Sequence, residues 1–172
     1  VDPRVARAMR EYMLNSYGNP SSIHTFGRNA KEAIEQARAV IADKINADPQ
    51  EIVFTSGGTE SNNLAVGMTA SKYISTAVEH QSMLNALAQK AHTILPVDNL
   101  GFVNQAQLKK EIKKNAFLSV IHGNNEIGTV NDLETIGNIA RKNGAFFHSD
   151  ACQSFLKKDI DVQKMNIDLL TL

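Results

Sequence analysis

Four short segments of the sequence combine residue types that bind or transform small molecules. The first is Thr55-Ser56-Gly57-Gly58-Thr59-Glu60-Ser61-Asn62-Asn63, which joins a strand-like run to a helix-like one. Its two glycines permit close backbone approach. The helix start offers free N–H groups at the positive end of the helix dipole, and Thr59 adds a hydroxyl donor, so the segment can cradle a phosphate. A plain glycine turn with a Thr or Ser cap has the same composition. The second segment is Val78-Glu79-His80-Gln81-Ser82. His80 can stack on a planar ligand, serve as acid or base, or cap the following helix together with Ser82. The third is His122-Gly123-Asn124-Asn125-Glu126-Ile127-Gly128, whose paired amides can donate to an anionic oxygen or simply form a turn.

The fourth segment is Phe147-His148-Ser149-Asp150-Ala151-Cys152-Gln153. His148, Asp150 and Cys152 alternate, so a continuing strand would place them on one face. That pattern admits metal ligation, a Cys152 nucleophile beside His148, or a strand leaving the core with a polar tip. No second ligand cluster accompanies it, and nothing nearby would turn Cys152 into a thiolate. Neither GxGxxG nor GxxxxGK[ST] occurs, so the dinucleotide fingerprint and the P-loop are both missing. A phosphate cradle, a ring-stacking His, an amide donor and an Asp can together surround a phosphorylated aromatic cofactor, with the Asp holding a ring nitrogen protonated.

The elements that must position these segments follow from periodicity. Asp2 and Pro3 read as a helix cap and first turn, opening a helix over 3–16. A longer helix is predicted over 25–45, where Ala30, Ala33, Ile34, Ala37, Ile41 and Ile45 recur at helical spacing. Strands are predicted at 52–55, 73–78, 93–97, 117–122, 145–149 and 168–172. Helices are predicted at 59–70, 82–91, 104–114 (with Asn104 and Gln107 as a capping box) and 132–143, the last ended by Gly144. The alternation implies an α/β fold of three layers, a mostly parallel sheet with helices on both faces. In such sheets ligands sit beyond the carboxyl ends of the strands, which is where all four segments fall.

Composition narrows the function classes. The 172 residues make about one domain, and 42% hydrophobic with 21% charged residues is globular rather than disordered. Eighteen basic and eighteen acidic side chains cancel, which disfavours a nucleic-acid-coating protein or a polybasic membrane binder. The single cysteine excludes an intrachain disulfide, and no apolar run reaches the length of a membrane span. The chain opens at a helix start and stops in the strand-like run 168–172, so a piece of a longer protein is expected.

With these motifs in order, the sequence resembles the cysteine desulfurases, pyridoxal-phosphate enzymes of the fold-type I, class V aminotransferase-like group. The resemblance covers essentially the whole chain. It is carried by Gly18-Asn19-Pro20-Ser21-Ser22-Ile23-His24 with Gly27-Arg28, and by the four segments above. Asn124-Asn125-Glu126-Ile127-Gly128 resembles the branch that serves iron–sulfur cluster assembly and tRNA thiolation. The resemblance implies that Gly58 and Thr59 bind the phosphate of pyridoxal 5′-phosphate. It implies that His80 stacks on the ring as the catalytic His, that Asn125 and Gln153 bond its phenolic oxygen, and that Asp150 pairs with its nitrogen. Asn19, Ser22 and His24 would line the substrate end.

The resemblance further implies L-cysteine as substrate, alanine and an enzyme-bound persulfide as products, and sulfur-acceptor proteins as partners. It implies a cytoplasmic homodimer, with no membrane and no direct nucleic-acid role. Residues 1–172 would form an incomplete large domain, 1–16 being a leading helix near the small-domain junction and 17–172 the α/β core, with the small domain absent. The family's Schiff-base Lys and its catalytic Cys have no counterpart here, so the fragment alone is expected to be inactive. Cys152 does not match the catalytic Cys, and Leu156 stands where a Gly is common. Another fold-type I enzyme, an aminotransferase or selenocysteine lyase, shares the same cofactor residues. A metal-binding or structural α/β module is the more distant alternative.

Overall fold

The computed structural model describes residues 1–68 and 70–172. Two compact units divide the chain, Val1–Ile52 and Val53–Leu172.

The first unit holds α1 (Pro3–Leu14), α2 (Thr25–Ile45) and a 3-10 turn at Pro49–Glu51. Asp2 caps α1 as expected, its carboxylate accepting the Arg4 N–H at 2.7 Å, with Pro3 in the first turn. The turn ahead of α2 is tight. A Cβ on Gly27 would lie 2.3 Å from the Ser22 carbonyl oxygen, so only glycine fits there. α2 ends at Asn46, which takes the left-handed conformation (φ 57°). Asp48 and Glu51 then form a capping box around the 3-10 turn.

The second unit is a five-stranded parallel sheet ordered β2-β1-β3-β4-β5. Its strands are β1 (Lys72–Thr76), β2 (His92–Leu95), β3 (Ala116–Ser119), β4 (Phe146–Asp150) and β5 (Leu169–Thr171). Between them run α3 (Gly58–Val66), α4 (Gln81–Leu87), α5 (Gln105–Glu111) and α6 (Leu133–Lys142). The strand period of two assigns the faces. Ile74, Leu118 and Phe147 bury against α5 and α6 through Leu108, Ile136 and Ile139. Tyr73, Phe117 and Leu169 bury against α3 and α4 through Val66, Met83 and Leu87. Each fully buried Leu or Phe stabilises by roughly 1.5–3 kcal/mol. The expected three-layer α/β sheet is therefore present.

Some boundaries differ from expectation. Residues 52–55 form no strand: Ile52 is extended, but among the described residues no ladder pairs this run, and Val53 and Phe54 are exposed. Their β-branched and aromatic side chains suit a pleated surface, but a strand exists only where a neighbour supplies hydrogen bonds. The helix expected over 59–70 ends at Val66 with Gly67 as its C-cap; position 69 lies outside the described residues. α4 and α5 likewise stop four and three residues early, at Leu87 and Glu111; the backbone turns extended at Ile112, which still packs into the core. Asn104 caps α5 by accepting the Gln107 N–H at 3.0 Å.

Candidate functional site

The strand order reverses between β1 and β3, since β2 lies on one side of β1 and β3, β4 and β5 follow on the other. Such a reversal parts the following loops and opens a crevice at the strand ends. A cleft of about 210 Å³ lies there, among residues of the second unit only. α3 contributes Gly58, Thr59 and Asn62; the β1 exit contributes His80; the β3 exit Ile121 and Asn125; the β4 exit Asp150, Cys152 and Gln153.

The α3 end of the cleft has the form of an anion cradle. No side chain caps its first turn, so N–H groups remain at the dipole's positive end. Glu60, the acidic residue of that turn, is turned back onto Ser56, whose N–H lies at 2.6 Å; the Ser56 side chain and then its backbone hold the carboxyl below the ordinary value. Gly58 must be small: a Cβ there would sit 2.8 Å from Cys152 Sγ.

Asp150 ends β4 and is buried, with its carboxylate facing this cleft. Oδ1 accepts the Cys152 N–H at 3.0 Å and Oδ2 accepts Asn62 Nδ2 at 2.8 Å. A carboxylate has about four acceptor positions, so capacity remains for a ligand N–H⁺. His80 is exposed on the cleft and caps α4, its Nδ1 bonded to Ser82 Oγ at 2.8 Å and to the Ser82 N–H at 3.2 Å. Capping and site-lining, set apart as alternatives by the sequence, are thus performed by one residue.

The two amides of the third segment separate in role. Asn124 builds the turn, its Nδ2 donating to the Val78 carbonyl (2.7 Å) and its Oδ1 accepting the Glu126 and Ile127 N–H groups. Asn125 is exposed and lines the cleft. Gln153 lines it from the β4 side. Asn19, Ser22 and His24 belong to the first unit. There Asn19 and Ser22 build the turn before α2, and His24 Nδ1 accepts the Gly27 N–H at 3.3 Å.

The alternating His148, Asp150 and Cys152 do not share one environment. β4 ends at Asp150 and Cys152 falls in the turn beyond it. His148 is fully buried, stacked on Phe117 and bonded to Ser119 Oγ at 2.9 Å and Thr171 Oγ1 at 3.0 Å. Burial pushes its pKa down to about 4, against the pull of Asp150. Burial of the Cys152 thiol, reinforced by the Asp150 charge, pushes it up to about 12. That is the opposite of what a nucleophilic cysteine needs. Among the described residues no three His, Cys, Asp or Glu side chains gather as a metal site.

Two residues went unassigned in the sequence reading. Asn62 bridges Asp150 and Ser82 Oγ (2.9 Å) across the cleft floor. Glu79 is buried, its Oε1 accepting from the Thr76 hydroxyl and the Ile121 N–H, both at 2.7 Å. Its position beside His80 at a strand exit was the available signal. For Asn62 there was none beyond its place in the first turns of α3.

The fold and cleft define a parallel α/β domain with an anion cradle and a carboxylate facing each other at the strand ends. A family model for class-V aminotransferases matches residues 1–172, and the chain belongs to that family. It is 45% identical, over all of its own length, to 38% of a mitochondrial cysteine desulfurase of Candida maltosa. A cysteine desulfurase of Pseudomonas fluorescens is 44% identical, with 99% of this chain spanning 46% of that protein. The chain therefore spans less than half the length of these curated relatives. A solved structure described as SspA in complex with cysteine superposes with a TM-score of 0.92 at 38% identity, over 99% of this chain and 53% of that one. An apo cysteine desulfurase of Thermococcus onnurineus gives 0.84 at 30% identity, over 96% and 45% of the two chains. No helix among the described residues is long and apolar enough to cross a membrane.

Proposed function

We propose that the cleft holds pyridoxal 5′-phosphate and that the chain is the cofactor-holding part of a cysteine desulfurase. One observation carries the reading: Gly58, Thr59, His80, Asn125, Asp150 and Gln153, singled out from four separated stretches, meet in one cleft. The donor set fits the group. Free N–H groups and the Thr59 hydroxyl at the α3 end suit a phosphate dianion. The buried Asp150 suits a protonated ring nitrogen, and the exposed faces of Asn125 and Gln153 supply amide donors for a phenolic oxygen. When bound, this cofactor supplies an electron sink for carbanionic chemistry at an amino-acid carbon.

The chain's own residues bind and orient. Asp150 would pair by charge with a protonated ring nitrogen, and the Asn62 bond fixes the carboxylate that would do so. His80 would cover the ring, and the resemblance assigns Asn19, Ser22 and His24 to the substrate end. In the longer protein, L-cysteine would yield L-alanine. Its sulfur would pass to a protein thiol as a persulfide and then to a sulfur-acceptor protein of iron–sulfur assembly or tRNA thiolation, within a homodimer. The names and the cysteine complex among the relatives support this substrate.

The test has two parts. Pyridoxal phosphate is titrated into the chain and followed by absorbance and fluorescence, with Thr59→Val and Asp150→Ala as controls. Alanine and sulfide release from L-cysteine is measured in the longer protein that contains this sequence. Saturable binding weakened by both substitutions, with equal alanine and sulfur yields, is expected. Binding that neither substitution affects would sink the reading.

A further inference from the structure

Asp150 and His80 come from different strand exits, yet a short chain of hydrogen bonds joins them. Asn62 Nδ2 is 2.8 Å from Asp150 Oδ2 and 2.9 Å from Ser82 Oγ, and Ser82 Oγ is 2.8 Å from His80 Nδ1. Asn62 is fully buried and lines the cleft, and Ser82 is buried too.

The direction of every bond in this chain follows from chemistry. Ionised Asp150 only accepts, so the amide must present its N–H₂ side. The reversed amide would set its oxygen against the carboxylate. The assignment leaves Asn62 Oδ1 buried with no hydrogen-bond partner among the described residues, while both Nδ2 protons have an oxygen within reach. Both Nδ2 protons are then committed, one to Asp150 and one to Ser82 Oγ. Ser82 Oγ, already accepting, has one proton to give, and its other neighbour is His80 Nδ1. The Ser82 backbone N–H, which cannot reverse, also points at Nδ1, at 3.2 Å. Two donors converge on that nitrogen, so it must be the unprotonated one.

We propose that Asn62 and Ser82 are positioning residues that fix the proton of His80 on Nε2 while clamping Asp150. The ring, which lines the cleft, then presents Nε2–H as its donor. Its use in catalysis rests on the cofactor reading above, but the tautomer itself does not.

The test is made on the full chain without cofactor, labelled with ¹⁵N-histidine. Two-bond ¹H–¹⁵N correlations above pH 7 read the tautomer of each imidazole, with His80→Gln assigning the signal. A single Nε2–H pattern is expected for His80. Ser82→Ala removes the hydroxyl donor and leaves only the longer Ser82 N–H bond at Nδ1, so an Nδ1–H population should appear beside the Nε2–H one. Ser82→Thr keeps the hydroxyl and should restore the single pattern. Asn62→Asp offers Ser82 an acceptor, turns its hydroxyl away from His80 and should likewise admit an Nδ1–H population. The buried His122 and His148 signals report whether each variant is folded. An Nδ1–H pattern in the wild-type chain, or an unchanged one in folded Ser82→Ala, overturns the inference. If the Nε2–H pattern appears but no pyridoxal phosphate binds, the cofactor reading fails and this inference stands.

Discussion

The Ile121 N–H donates to Glu79 Oε1 at 2.7 Å, tying the exit of β3 to the exit of β1 at the point where strand order reverses. The bond holds a carboxyl group where water does not reach. Burial raises Glu79 from 4.5 to about 7, with the nearby Asp150 charge adding to the shift. Its other oxygen meets Ser119 Oγ at 3.3 Å, and Ser119 meets His148. Two displaced titrations therefore share one buried hydroxyl.

They act on stability with opposite sign. Glu79 binds its proton more tightly when folded. Its contribution is full below pH 4.5 and is lost as pH rises through about 7, a change on the order of 3 kcal/mol. His148 binds its proton less tightly when folded. Its contribution is full above pH 6.5 and is lost as pH falls through about 4. Between pH 4.5 and 6.5 the two oppose each other. Glu79→Gln keeps an acceptor for Ile121 and removes one titration. Urea unfolding should then show a stability that climbs with pH across this window, more steeply than in the wild-type chain. Above pH 7 the variant should gain relative to wild type. Parallel pH profiles for the two proteins would refute the assignment.

Asp150 carries the charge that the cofactor reading needs. Asp150→Asn preserves volume and can still face an oxygen toward Asn62 Nδ2, so the fold should survive with the Cys152 N–H bond lost. Pyridoxal phosphate should bind at least tenfold more weakly, about 1.4 kcal/mol. Thr59→Val should weaken inorganic phosphate and pyridoxal phosphate alike, whereas Asp150→Asn should affect only the latter. Fluorescence titrations with both ligands separate the two contributions.

Cys152 is exposed by residue but its thiol resists ionisation, being pushed up to about 12. Iodoacetamide at pH 8 should alkylate it at least tenfold more slowly in the native chain than in the urea-unfolded one. Asp150→Asn removes the adjacent charge and should speed native alkylation. Mass spectrometry of the quenched time course gives both rates. A native rate equal to the unfolded one would mean the thiol is not suppressed.

Much of this architecture was readable in the chain. α2 begins at Thr25 and ends at Ile45, where its periodicity starts and stops. The six cofactor-binding candidates meet because each follows a strand or opens a helix at the same sheet edge. What was not readable depended on partners distant in sequence. Asn62 gains its meaning from Asp150, 88 positions away. Residues 52–55 have strand composition but no ladder among the described residues, which no local pattern reveals. Asn124 and Asn125 are chemically identical neighbours, and only the turn's geometry commits one to structure and leaves the other to the cleft. The capping box at Asp48 and Glu51 was legible in the pattern Asp-x-x-Glu but was masked by the apolar run that follows it.

Leu156 carries a backbone cost of its own. Leu156 adopts φ 60°, the left-handed conformation, and is 73% exposed. A side chain with a Cβ loses about 1–2 kcal/mol in that conformation, where glycine loses none. So exposed a leucine recovers little through packing. Replacing it by glycine adds unfolded-state entropy worth roughly 0.5–1 kcal/mol, which offsets part of the gain. Leu156→Gly should therefore raise stability by up to about 1 kcal/mol in urea unfolding, whereas Leu156→Ala, which keeps the Cβ, should not. Equal stabilities for the glycine and alanine variants would show that backbone strain at this turn is not what the leucine costs.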